Sequence, residues 1–230
     1  AGVLEAGQWQ KGVVGSPQGG VISPLLANVY LHYVLDEWFE KDVKPRLRGR
    51  AFSVRFADDA ILAFSNEADA RKVLEVLPKR FARFGLTLHP TKTRQVRFRP
   101  HREQRAETFD FLGFTYYWGK SRRGRLIIKQ KTAKDRYKRG LKRISLWCRA
   151  NRHRPLREQH RQLCRKVTGH YAYYGITNNI EALQRFVNTV RRIWIKWLRR
   201  RSQKGWFSWE KAAQLLSILP LPRARIIHRL

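Results

Sequence analysis

AFSVRFADDAILAF, residues 51–64, carries the sharpest pattern in this chain. Two short apolar runs, 51–56 and 60–64, flank Ala57-Asp58-Asp59. Apolar segments of this length around a tight polar turn read as a β-hairpin, here with two acids at its tip. Adjacent carboxylates repel, and apolar strands beside them restrict their solvation. A divalent cation relieves that repulsion, and hard oxygen donors suit Mg²⁺. Phosphoryl transfer commonly uses two such ions about 3.5–4 Å apart, one on the attacking and one on the leaving oxygen. A bare Asp-Asp pair is also an ordinary turn, because Asp is frequent there. The weight therefore falls on what surrounds it.

Upstream, QWQKGVVGSPQGG (8–20) reads as a strand and a Gly-rich loop. Ser23 reads as an N-cap with Pro24 at the first helical position, and Leu25, Val29 and Tyr33 recur every four residues. This helix is expected to run to about Glu40, with a basic turn over Pro45 to Arg50. Downstream, Glu67 to Phe84 reads as a helix that Pro78 bends, with Gly85 as its C-cap. Residues 86–88, 95–98 and 109–118 read as strands, and a hairpin through Arg123-Gly124 leads into 125–129. From about 132 the period becomes helical, over 132–150, 155–168, 179–201 and 208–217. In the third helix Leu183, Phe186, Val187, Val190, Ile193, Trp194, Trp197 and Leu198 form one apolar face, so both tryptophans read as core.

Charge divides the chain. Of 230 residues, 49 are Lys or Arg and 17 are Asp or Glu, a net charge of +32. Residues 1–119 hold 18 basic against 13 acidic side chains, whereas 120–230 hold 31 against 4. Chemistry is expected in the first part and polyanion binding in the second. Membranes are anionic too, but no stretch approaches the roughly 20 apolar residues of a bilayer span. The aromatics lie among arginines, which favours nucleic acid over lipid. Cys148 and Cys164 are too few for a disulfide framework or a Cys-rich zinc site, and read as thiols of a reducing compartment. His170 has no partner pattern that suggests a metal. The chain opens on Ala1, contains no Met and meets a dense motif within fifteen residues, so its true start is expected further upstream.

Four blocks, in order, carry a resemblance. Phe56-Ala57-Asp58-Asp59 resembles the Y-x-D-D box of reverse transcriptases in its YADD form. Gly15-Ser16-Pro17-Gln18-Gly19-Gly20-Val21-Ile22-Ser23-Pro24-Leu25-Leu26-Ala27-Asn28 resembles the PQGG-x-ISPLLAN block of group II intron reverse transcriptases. Gly85 to Thr93 resembles the block that follows the hairpin, and Phe109 to Phe114 the FLGF block after it. Gly169-His170-Tyr171-Ala172-Tyr173-Tyr174-Gly175 resembles the maturase signature, and Pro220 to Arg225 resembles the tails of bacterial members without an endonuclease domain.

The resemblance implies an α+β chain: a truncated reverse-transcriptase palm, with an antiparallel sheet and packed helices, over 1–119. An α-helical thumb or maturase domain would follow over 120–205, then a nucleic-acid-binding tail over 206–230. It implies that Asp58 and Asp59 bind catalytic Mg²⁺, while Gln18, Gly19, Gly20, Phe56 and Lys92 line the nucleotide and template. Phe56 stands where the family has Tyr, so the ring is kept and the hydroxyl lost. Lys92 reads equally as a solvated lysine, and Leu112 and Gly113, where the family places its primer grip, equally as strand packing. Another metal-binding Asp of the family comes from an earlier block. No candidate precedes Gly15, so little polymerase activity is expected of this chain alone.

Tyr171, Tyr173 and Tyr174 are implied to stack on bases or pack the thumb core, with at least one of them in the core. Arg191, Arg192, Lys196, Arg199, Arg200 and Arg201 are the RNA candidates, through phosphate contacts that salt weakens. The implied partners are group II intron RNA, an RNA template with its DNA primer, dNTPs and target DNA, with no membrane, in a bacterial cytoplasm near the nucleoid. Two readings stand beside this one. One is a non-catalytic RNA-binding maturase module, and the other a CRISPR-linked or phage-defence reverse transcriptase.

Overall fold

The computed structural model describes residues 2–5, 8–11, 21–100, 107–201 and 208–229, the first two stretches by backbone alone. The chain forms two compact units, Ala1–Gln95 and Val96–Leu230.

In the first unit, β1 (Gly2–Glu5) and β2 (Gln8–Lys11) form an antiparallel pair. Helix α1 (Ser23–Leu31) follows, with Pro24 in its first turn. Its N-cap is Ile22 rather than Ser23, and the Ile22 carbonyl accepts from the Leu25 and Leu26 amides. The chain then stays helical but winds more widely, as π-helix over His32–Glu37 and Phe39–Val43 and a 3₁₀ turn over Lys44–Arg46. Burial follows that winding. Val34 and Phe39, and Trp38 and Val43, are five apart and all face the core, the spacing of i→i+5 turns. The apolar residues that recur every four positions upstream do not face the core: Leu25, Val29 and Tyr33 are 63%, 49% and 57% exposed. Arg80 donates to the carbonyls of Tyr33 and Val34 near the change of winding, at 3.3 and 3.1 Å.

β3 (Ala51–Phe56) and β4 (Asp59–Phe64) form the antiparallel hairpin in the register Ala51↔Phe64 to Phe56↔Asp59. Helix α2 (Glu67–Ala82) is capped by the Asn66 side chain, which accepts from the Ala68 amide, and contains Pro78 within its length. Val73, Leu77 and Phe81 of α2 bury against Val34, Leu35, Phe39 and Ala51. Buried Asp69 accepts from the amides of Arg48 and Gly49 at 3.0 and 2.9 Å, which fixes the turn that feeds β3. Gly49 is required there, because a Cβ would stand 2.5 Å from Ser65 Oγ with Asn66 behind it. Residues 86–88 are not a strand. The Leu86 amide donates to the Phe81 carbonyl at the end of α2, and Leu86 and Leu88 pack onto the helical core.

In the second unit, residues 96–98 form no strand either: the Phe98 amide turns back to donate to the Val96 carbonyl at 3.1 Å. The Phe98 ring packs 4.8 Å from Phe109 and 5.5 Å from Trp118. The run 109–118 is two strands, β5 (Phe109–Phe111) and β6 (Phe114–Lys120), and β7 (Leu126–Thr132) completes a sheet of order β5-β6-β7. Leu112 and Gly113 break the run because both adopt positive φ, 49° and 79°. Two successive left-handed residues make the turn that suits the twist of a tight hairpin.

Four helices follow: α3 (Lys134–Ala150), α4 (Leu156–Tyr174), α5 (Ile180–Leu198) and α6 (Trp209–Ile218). Helix α4 continues well past the expected end at 168, because Val167 and Tyr171, four apart, carry the same buried stripe beyond Gly169. Leu183, Phe186, Val187, Val190, Trp194 and Leu198 of α5 are buried as the pattern implied, while Ile193 and Trp197 are partly covered. Trp194 Nε1 donates to the buried Gln159 Oε1 at 2.9 Å. Asn179 joins sheet to helices: its amide nitrogen donates to Thr132 Oγ1 and the Tyr174 carbonyl, and its oxygen accepts from the Thr132 amide. Residues 220–228 pack back on the helices, with Leu221 buried and the Ile227 and His228 amides donating to the Gly175 carbonyl.

Candidate functional site

The acidic tip is a two-residue turn. Phe56 pairs with Asp59, leaving Ala57 and Asp58 as the turn residues, and Ala57 takes a positive φ of 53°. Asp58, Asp59 and Phe56 are all exposed. Arg55, which is only 13% exposed, holds the tip from behind. Its guanidinium donates to both Asp36 oxygens, to Asn28 Oδ1 at 2.9 Å and to the Ala57 carbonyl at 3.0 Å. The hairpin turn is thereby tied to α1 and to the wide-wound segment after it. The hydrogen bond from Arg55 lowers the Asp36 carboxyl below its ordinary range, and the same bond raises Arg55. Sequence reading missed Arg55, Asp36 and Asn28 as a positioning set. The signal available was one arginine inside an apolar strand, which needs a carboxylate close by.

In donor chemistry the tip fits a divalent cation. Asp58 and Asp59 offer hard oxygens to solvent, and among the described residues neither is engaged in an ion pair. They are two residues only: no group of three His, Cys, Asp or Glu that could hold a metal occurs among the described residues. Gln18, Gly19 and Gly20 lie outside the described residues. Lys92 is exposed, with its amide donating to the His89 carbonyl.

In the second unit, the Leu112–Gly113 turn is held by the signature tyrosines. Tyr173 Oη donates to the Leu112 carbonyl at 2.9 Å, and its ring stacks on Phe114 with centroids 5.7 Å apart. A Cβ on Gly113 would stand 3.2 Å from Tyr174 Oη. Tyr171 has no exposed surface and donates to the Pro222 carbonyl, so it packs the core and presents no face to a base. Tyr173, by contrast, is 54% exposed. His170 is closed in between Phe186, stacked at 3.7 Å, and Tyr174; burial pulls its pKa down to about 4.

The basic residues of α5 and its C-terminal turn divide into two sets. Arg201 donates to the carbonyls of Arg152 and Arg154, which makes it a clamp on the α3–α4 loop rather than a free cation. Arg191, Arg192, Lys196, Arg199 and Arg200 form no salt bridge among the described residues and line a cleft of about 400 Å³ with α6.

Residues 4–116 match the family described as reverse transcriptase (RNA-dependent DNA polymerase), so this part of the chain, which contains the acidic hairpin, is a reverse-transcriptase sequence. The chain is similar to the group II intron-encoded protein LtrA of Lactococcus lactis subsp. cremoris, 34% identical over 90 residues. That match takes in 35% of this chain and 15% of the relative. It is also 50% identical over 40 residues, 17% of this chain and 5% of the relative, to an uncharacterized 91 kDa protein in the cob intron of Schizosaccharomyces pombe. The matched stretches thus span only a small part of the curated relatives' length.

Proposed function

We propose that this chain is part of an RNA-directed DNA polymerase and maturase of a group II intron. The observation that carries the reading is the exposed Asp58–Asp59 tip, braced by Arg55, inside the segment that matches reverse transcriptases. Bound Mg²⁺ would supply charge neutralisation on the attacking and leaving oxygens of the transferred nucleotide. Asp58 and Asp59 would hold the metal, and the Arg55 brace keeps their turn in place before it arrives. Such preorganisation matters because misplacement of about 1 Å can cost on the order of a hundredfold in rate. Phe56 would offer a ring without a hydroxyl at the nucleotide, and Gln18, Gly19 and Gly20 would line the template. The Leu112–Gly113 turn would grip the primer. Arg191, Arg192, Lys196, Arg199 and Arg200 would hold RNA phosphates, with intron RNA, primer–template and target DNA as the polyanions. No helix among the described residues is long and apolar enough to cross a membrane.

Two binding measurements test this reading. Mn²⁺ added to the protein should broaden the NMR signals of residues 56–60 before others, and Asp58→Ala should remove that selectivity. A group II intron RNA should bind with an affinity that falls steeply with salt. Intron RNA binding without any metal at the tip would favour the non-catalytic maturase module instead.

A further inference from the structure

The cleft between α5 and α6 has a construction that a plain phosphate-binding face does not need. Its floor is apolar, formed by the buried side chains of Ile195 and Ala212. Its α5 wall is cationic, and its volume of about 400 Å³ lies in the range of pockets that hold a single small organic group. At its edge stands Trp209, 72% exposed, at the first position of α6. An exposed indole offers a large flat apolar face that a ligand ring can cover.

One face of that indole is already used. The Arg199 guanidinium lies 4.0 Å from the ring centroid, a cation–π contact that also fixes the plane of the ring. Arg199 Nε is buried and has no hydrogen-bond partner among the described residues, so the cations open to a ligand are those further along the wall. Arg192, Lys196 and Arg200 stand along the same wall, with no carboxylate paired to them among the described residues. A largely exposed ring at the edge of an apolar floor, with a row of cations beside it, matches a nucleotide unit. The base would stack on Trp209, and phosphate oxygens would meet the cations. A bilayer surface would satisfy the cations but would leave the narrow apolar floor unfilled.

We propose that this cleft captures one unpaired nucleotide of a bound RNA by stacking its base on Trp209, so that the basic face distinguishes looped or single-stranded RNA from continuous duplex. Every base has a π-face, so the site reads pairing state and not sequence. The proposal rests on the reading that α5 binds RNA phosphates, and adds to it a specific anchor.

The test uses the whole chain and two labelled RNAs: a fully paired hairpin, and the same hairpin with a two-purine bulge carrying 2-aminopurine. The wild type should bind the bulged RNA more tightly and quench the 2-aminopurine. Trp209→Ala should weaken the bulged RNA about tenfold and abolish the quench, with duplex affinity changed less than about twofold. Trp209→Phe should retain most of both. Lys196→Gln should weaken both RNAs and flatten the salt slope by about one. The quench in the wild type keeps the test decisive even if Trp209→Ala melts. If bulged RNA binds with no quench, or Trp209→Ala weakens both RNAs alike, the stacking site is wrong while the phosphate-binding face stands. If neither RNA binds the wild type, both readings fall. Trp209-dependent binding to phosphatidylserine vesicles with no effect on RNA would replace the nucleotide with a lipid surface.

Discussion

Arg55 Nη2 lies 2.6 Å from Asp36 Oδ2, and the same guanidinium reaches the carbonyl of Ala57 at the hairpin turn. One ion pair therefore joins the wide-wound helix to the acidic tip. Asp36→Asn should destabilise the first unit by about 1–3 kcal/mol at neutral pH, since a largely covered guanidinium loses its carboxylate. The pH dependence has a definite sign. The Asp36 carboxyl is lowered in the folded chain, so its contribution is complete above the ordinary carboxylate range near 4 and is lost as pH falls through the folded value. Urea melts at pH 7 and pH 3 should show a larger Asp36→Asn difference at the first than at the second.

Gly113 combines a φ of 79° with Tyr174 Oη at 3.2 Å from where a Cβ would be. Gly113→Ala should cost about 1–3 kcal/mol, from backbone strain and crowding together. Tyr173→Phe removes only the hydrogen bond to the Leu112 carbonyl and should cost about 1 kcal/mol. Thermal melts of the two variants should keep this order.

His170 is held neutral by burial against Phe186, with a pKa of about 4 in place of about 6.5. A folded pKa depressed by burial gives stability that is complete above pH about 6.5 and is lost as pH falls toward 4. The helical unit should therefore lose roughly 1–3 kcal/mol across that window, discounted for partial solvent access. His170→Phe should flatten the loss, read by helix signal against pH.

Gln159 is buried, accepts from Trp194 Nε1 and donates to the carbonyls of Arg152 and Arg154. Gln159→Leu leaves Trp194 Nε1 without its acceptor and the Arg152 and Arg154 carbonyls to Arg201 alone, and should destabilise the helical unit by about 1–3 kcal/mol. Gln159→Glu should be less damaging at pH 4 than at pH 7, because only the protonated acid can donate.

The sequence made some of this legible and hid the rest for identifiable reasons. The hairpin was readable because two apolar runs bracket a polar turn, and the α5 stripe because Leu183 to Leu198 keeps a 3.6-residue period. The wide winding after Leu31 was not, since Val34 and Phe39 recur at a spacing that an α-helix pattern does not search for. The turn at Leu112–Gly113 left only Gly113 as a signal within a strand-like run, because positive φ at a leucine leaves no compositional trace. The strands expected at 86–88 and 95–98 have suitable residues but no partner strand among the described ones. Asn179 meets Thr132 across 47 positions, and Arg201 meets the Arg152 carbonyl across 49, so neither role can be read locally.

The proposed function has the Asp58–Asp59 tip hold the metal of nucleotidyl transfer. The most direct test is Mg²⁺-dependent extension of a DNA primer on an RNA template, by the protein produced from the entire open reading frame that encodes this chain. Asp58→Ala and Asp59→Ala should each abolish extension, by at least about a thousandfold, while leaving the melting temperature within about 2 °C because both side chains are exposed. Extension that survives either substitution, with the protein folded and Mg²⁺ still required, would contradict the account and move the metal elsewhere.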